Sequence, residues 1–97
     1  MRPSETLAQK RDAVLEAMLS CSKVANPRVF GSVARGDDVE GSDIDFLVDM
    51  EEGRSLLDHA ALILDLERLL KRPVDVASER GLRRLVRKDV LKDAVAL

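Results

Sequence analysis

Two aspartates separated by a single residue, Asp43 and Asp45, open a segment running to Asp49 whose alternation predicts a β-strand. At a strand rise of about 3.3 Å, their Cα atoms lie roughly 6.6 Å apart on one face. Ile44, Phe46 and Val48 point to the other. Carboxylates at that spacing can converge on a hard cation. Mg²⁺ takes oxygen ligands, usually one or two protein carboxylates plus substrate phosphates. A third carboxylate on a neighbouring strand would complete a site for two ions about 3.5–4 Å apart, which steadies both the attacking and the leaving oxygen of a displacement. Asp75 is the candidate, because it lies in a second predicted strand, Val74 to Ser78, between two valines. A carboxylate among apolar neighbours is costly unless neutralised, and a cation supplies the neutralisation. Alternation also permits Asp75 to face solvent on an edge strand.

Ten residues separate Asp43 from Gly31-Ser32, at the end of a short predicted strand over Arg28 to Phe30. A glycine there lets backbone approach a phosphate closely, and the Ser32 hydroxyl and nearby amides can donate to it. The segment from Val33 to Arg35 reads as a short helical turn whose N-terminus faces the same phosphates. Arg35 could then hold a phosphate oxygen bidentately. Taken alone, Gly31-Ser32 is also what an ordinary strand-ending turn looks like.

The elements needed to position these residues are legible. A first helix starts near Ser4 and Glu5 behind Pro3, with Leu7, Val14, Leu15, Met18 and Leu19 at helical spacing, and Asn26-Pro27 ends it. Glu51, Glu52 and Gly53 form a turn, and Ser55-x-x-Asp58 resembles a capping box that opens an apolar helix through about Lys71. Pro73 admits the strand bearing Asp75. Gly81 precedes a last helix with an apolar stripe of Leu82, Leu85, Val86 and Val90. The order α-β-β-α-β-α predicts an α/β sandwich, a short mixed sheet with helices packed on it. At 97 residues the expectation is one domain spanning 1–97.

Composition narrows the function classes. With two Phe, no Trp and no Tyr, the chain has no stacking platform for bases, so direct nucleic-acid binding is not expected. Residues 1–79 carry ten Lys/Arg against sixteen Asp/Glu, while residues 80–97 carry six against two. An acidic body with a basic end suggests a cation site plus a separate contact surface, though a solvated amphipathic helix gives the same pattern. Arg80, Arg83, Arg84, Arg87, Lys88 and Lys92 could meet a partner protein, RNA or phosphates, and the missing aromatics favour a protein. Cys21 is alone, which excludes an intramolecular disulfide and fits a reducing compartment. The longest apolar run, Ala60 to Leu64, is far short of the roughly twenty residues a membrane span needs. A cytoplasmic protein is expected. His59 reads as a helix-surface histidine, Asp49 as a solvated strand end, and Asp37, Asp38 and Glu40 as loop acids turned outward.

Together, GSVARGDDVEGSDIDFLVD resembles the G-S-x10-D-x-D signature of the DNA polymerase β-type nucleotidyltransferase superfamily. More narrowly it resembles the minimal nucleotidyltransferase (MNT) antitoxins paired with HEPN-domain toxins, over nearly the whole chain. That resemblance implies a nucleotidyltransferase palm-like fold and a Mg²⁺-dependent transfer of AMP from ATP. It implies that Ser32 contacts the triphosphate, that Asp43 and Asp45 bind metal, and that Asp75 helps bind metal and activates the incoming hydroxyl. Family members modify a tyrosine of the partner HEPN ribonuclease and so silence it. This chain has no Tyr, so the accepting hydroxyl belongs to a partner or to one of its own Ser or Thr residues. Two other readings stand beside this one: a non-catalytic antitoxin that acts by binding alone, and a small-molecule or RNA nucleotidyltransferase.

Overall fold

A computed structural model describes residues 1–21, 24–50, 56–82 and 84–97. Helix α1 (Pro3–Glu16) continues into a π-turn over Ala17–Cys21. Strand β1 (Ala25–Phe30) runs directly into the short helix α2 (Gly31–Arg35), and β2 (Ile44–Asp49) follows a loop. Helix α3 (Leu56–Leu70), strand β3 (Val74–Ser78), a 3₁₀ turn (Glu79–Gly81), helix α4 (Arg84–Asp93) and strand β4 (Val95–Ala96) complete the order. Among the described residues the sheet runs β3-β2-β1-β4. It is mixed, as expected: β1 is antiparallel to β2 and β4, and β2 is parallel to β3. A parallel pair needs a crossover, and α3 supplies it.

Strand alternation decides the two faces. Val29, Ile44, Phe46, Val48, Val74 and Val76 bury one face under Leu7 and Val14 of α1, Met18 of the π-turn, and Leu62, Leu66 and Leu70 of α3. Leu62, Leu66 and Leu70 recur every four residues, so one stripe of α3 meets the sheet. The other side of α3 leaves Leu57 and Leu64 exposed. Leu19, expected on the buried face of the first helix, is half exposed, because the wider π-turn rotates the side chains that follow Glu16. On the second sheet face Leu47 is fully buried outside that core, opposite Arg28 and Ala77 in register.

Three local features differ from the sequence expectation. Strand β1 begins at Ala25, because Asn26 takes a left-handed conformation (φ 52°) and the register shifts between Ala25 and Arg28, which carries Pro27 in a bulge. Strand β4 adds an edge that two residues of sequence could not announce. Asp38 is not turned outward. It is 2% exposed and accepts the Ser4 N–H at 2.8 Å, so it caps α1 from across the chain. The predicted turn at Glu51, Glu52 and Gly53, and Ser55 of the predicted capping box, lie outside the described residues. No helix among the described residues is long and apolar enough to cross a membrane.

Candidate active site

Phe30 and Asp45 are register partners across the antiparallel pair, and Asp45 and Asp75 are partners across the parallel one. The β1–α2 junction, Asp45 and Asp75 therefore form one row across the sheet, at the strand spacing of about 4.8 Å per step. Asp43 stands just before β2 and is exposed. Gly31 turns the chain from β1 into α2 at φ 74°. A Cβ on Gly31 would lie 2.5 Å from Asp45 Oδ2, so any larger residue here would have to turn this carboxylate aside. Ser32 follows as the second residue of α2, and Gly36 ends that helix at φ 79°.

Desolvation falls on Asp45 rather than on Asp75. Asp75 lies between buried Val74 and Val76 in sequence, yet it is exposed on the opposite face of an edge strand. Asp45 is the half-buried carboxylate. Burial first, then the charges of Asp75 and Asp43, push its carboxyl above the usual range, and Arg35 opposes them only in part. Asp75 and Asp43 are thus held close enough to Asp45 to raise the cost of its charge, with too little positive charge to answer them.

That donor set fits a divalent cation, since all three side chains offer hard oxygen ligands. Among the described residues, no three His, Cys, Asp or Glu side chains form a ready-made cage. A cation here would need ligands from outside the chain, which is how Mg²⁺ is normally held beside phosphates.

Arg35 sits at the end of α2, and its guanidinium is engaged: Nε donates to Asp37 at 3.2 Å and an η-nitrogen to Asp93 of α4 at 2.9 Å. The hydrogen bonds to Asp93 and then Asp37 hold its pKa above the ordinary arginine value. A phosphate at Arg35 would have to compete with these two acids. Between α2 and α4, a cleft of about 290 Å³ is lined by Phe30, Gly31, Arg35, Val86, Val90 and Asp93, among others. Arg87, Lys88 and Lys92 are exposed on α4. Arg87 reaches Glu79, with one η-nitrogen 3.8 Å from the carboxylate. Residue 83 and the side chains of Arg80, Arg84 and Leu85 lie outside the described set, so the basic stripe is seen only in part.

Several supporting residues have no signal in the local sequence pattern. Arg28 is buried on the site face, pairs with Asp49 at 3.0 Å and with Glu79 at 3.6 Å, and so ties β1, β2 and the turn after β3 together. Asp49 is accordingly a partnered strand end. Arg72 donates to Thr6 Oγ1 at 3.0 Å and to the Glu40 carbonyl at 2.8 Å, and also reaches the Met1 carbonyl. It anchors the loop that delivers Asp43 to the first helix. His59 is half-buried rather than a free surface residue, with Nε2 2.7 Å from the Val76 carbonyl oxygen.

Comparison with known proteins gives the family and the fold. Residues 11–97 match the family described as "Nucleotidyltransferase domain". Protein adenylyltransferase MntA of Thermococcus cleftensis is 45% identical over 67 residues, covering 69% of this chain and 68% of the relative. A solved structure provisionally described as a minimal nucleotidyltransferase is 52% identical, with a TM-score of 0.83 over 97% of this chain and 95% of that one. A toxin-antitoxin crystal structure with AMP-PNP shares the fold at 21% identity, with a TM-score of 0.74 over 88% of this chain and 70% of that one.

Proposed function

The chain belongs to the nucleotidyltransferase domain family and is a nucleotidyltransferase enzyme, and from that premise we propose that it is an antitoxin that transfers AMP from ATP to a tyrosine hydroxyl of a HEPN-domain ribonuclease toxin. Residues 1–97 would act as one catalytic unit, and the lone Cys21 suits the reducing cytoplasm. The observation that carries the reading is the row formed by Gly31, half-buried Asp45 and exposed Asp75, with Asp43 beside it. The 45% identical relative named a protein adenylyltransferase and the toxin-antitoxin structure with AMP-PNP support the same chemistry.

In the proposed reaction the partner's hydroxyl oxygen forms a bond to the α-phosphorus, the bond from that phosphorus to the bridging oxygen of the β-phosphate breaks, and pyrophosphate leaves. Asp43, Asp45 and Asp75 would hold Mg²⁺, two ions by analogy with other two-metal sites, and the metal supplies charge neutralisation to the phosphates. Asp75 is the exposed member of the row, open to an incoming protein, and accepts the hydroxyl proton on its carboxylate. Ser32 and the amides around Gly31 orient the triphosphate by hydrogen bonding. Arg35 assists once a phosphate displaces Asp93. The exposed bases of α4 provide a contact surface for the partner.

Intact-protein mass spectrometry tests this directly. The proposed HEPN-domain partner is incubated with this chain, ATP and Mg²⁺, and a variant carrying Asp43→Asn and Asp45→Asn is the control. AMP-sized increments with the wild type alone are expected. Neutralisation without any increment, in a mixture where the two proteins associate, would replace the proposal with an antitoxin that acts by contact.

A further inference from the structure

Strand β3 is the outermost described strand on its side of the sheet, so one of its edges has no neighbouring strand among the described residues. Residues of a strand alternate in the direction of their backbone groups. Ile44 N–H donates to the Pro73 carbonyl at 3.3 Å, so positions 73, 75 and 77 address β2. Val74 and Val76 therefore turn their backbone groups outward, where unpaired groups would leave the edge free to fray or to pair elsewhere. Helix α3 supplies partners for both. Val74 N–H donates to Glu67 Oε2 at 3.3 Å, and the Val76 carbonyl accepts from His59 Nε2 at 2.7 Å. These two contacts fall on either side of Asp75.

We propose that His59 and Glu67 are positioning residues that clamp the outer edge of β3 and so fix where Asp75 presents its carboxylate. The proposal deepens the reading of Asp75 given above and rests on it. Asp75 itself is exposed, so packing does not fix its strand position from the site side. Its flanking valines do so from the core side, and the two α3 side chains do so along the edge. A carbonyl only accepts, so His59 must carry its proton on Nε2, whether the ring is neutral or charged. A glutamine placed at 59 offers an amide donor of comparable reach, and a leucine offers none.

The test has three arms. Two-bond ¹H–¹⁵N NMR of the wild-type protein reads the His59 tautomer directly: an Nε2–H ring is expected, and an Nδ1–H ring overturns the clamp without any variant having to fold. The ¹³C resonances of Asp75 are then compared in His59→Leu, His59→Gln, Glu67→Leu and Glu67→Gln. The leucine variants should displace them, and the amide variants should restore them. Wild-type Asp75 resonances in both leucine variants overturn the proposal whatever Asp75 does.

Finally, Mn²⁺ affinity in the presence of AMP-PNP is measured by calorimetry, with the AMP-transfer rate beside it. Residues that orient a metal ligand typically alter affinity or activity about 10- to 100-fold. His59→Leu should lower Mn²⁺ affinity about 10-fold, reduce kcat more than it changes KM for ATP, and be rescued by His59→Gln. Asp75→Asn separates the two claims. If it leaves affinity and transfer untouched, the role of Asp75 falls and the functional half of this proposal falls with it. If it abolishes them while His59→Leu with displaced Asp75 resonances does not, the clamp alone is refuted.

Discussion

Gly31 is the position where backbone conformation and site chemistry meet, and Gly36 provides an internal control for it. Both have left-handed φ values, 74° and 79°. A Cβ added at Gly36 meets nothing within 4 Å, whereas at Gly31 it meets Asp45 Oδ2 at 2.5 Å and the carboxyl carbon at 3.4 Å. Holding alanine in the left-handed region costs about 1–2 kcal/mol, offset in part by about 0.4–1 kcal/mol from the stiffer unfolded chain. Gly36→Ala should therefore lose about 1 kcal/mol and keep its activity within a few-fold.

Gly31→Ala carries the same backbone cost plus the displacement of Asp45. The obstructing atom is a side-chain oxygen, so the carboxylate can rotate away at about 0.5–1.5 kcal/mol for an off-rotamer angle. A total near 2 kcal/mol follows. With a urea slope of about 1–3 kcal/mol per molar, the midpoint would fall by roughly 1 M. The activity loss should be disproportionate, since moving a reacting group by about 1 Å can cost on the order of 100-fold. Urea denaturation and AMP transfer to the partner, measured on both variants, decide the matter. Equal effects of the two substitutions on stability and on transfer would refute the claim that Gly31 is required by its approach to Asp45.

Asp38 gives a pH prediction. Burial pushes its carboxyl up, but hydrogen bonds led by the Ser4 N–H outweigh this and hold it below the ordinary aspartate range. Its stabilisation is therefore complete above the unfolded value of about 3.9 and is lost as pH falls through the lower folded value. Asp38→Ala should cost about 1 kcal/mol at pH 7, as for a lost helix cap, and the gap from wild type in urea midpoints should close in strong acid. For Asp45, the carboxyl is raised by burial, Asp75 and Asp43, so its contribution is favourable below the unfolded value and is lost as pH rises through the folded one. Asp45→Asn should accordingly melt higher than wild type at pH 7 in EDTA while losing AMP transfer; a lower melting temperature there would contradict the electrostatic account. Arg35 is exposed and its bonds to Asp37 and Asp93 lie at the surface, where solvent screens them, so Arg35→Ala should leave the urea midpoint close to that of the wild type. If it orients a phosphate, KM for ATP rises; an unchanged KM removes Arg35 from the nucleotide site.

Much of this protein is written locally. Period-two alternation announced the strand containing Asp45 and the strand containing Asp75, and helical spacing announced Leu7, Val14 and Met18, because side-chain direction repeats over a few residues in any strand or helix. The Gly31-Ser32 and Asp43-x-Asp45 spacing was legible for the same reason: each lies within one element or at its end. What the tertiary structure decided was pairing across distance. Ser4 meets Asp38 34 positions away, His59 meets Val76 at 17, and Arg72 meets Met1 at 71. The two-residue strand β4 exists only because β1 is there to pair with it. Which aspartate is half-buried was likewise a matter of sheet order: among the described strands β2 is interior and β3 is at the edge, so Asp45 bears the desolvation and Asp75 stays exposed. Local periodicity specifies the face a residue occupies, but what covers that face is set by elements remote in sequence.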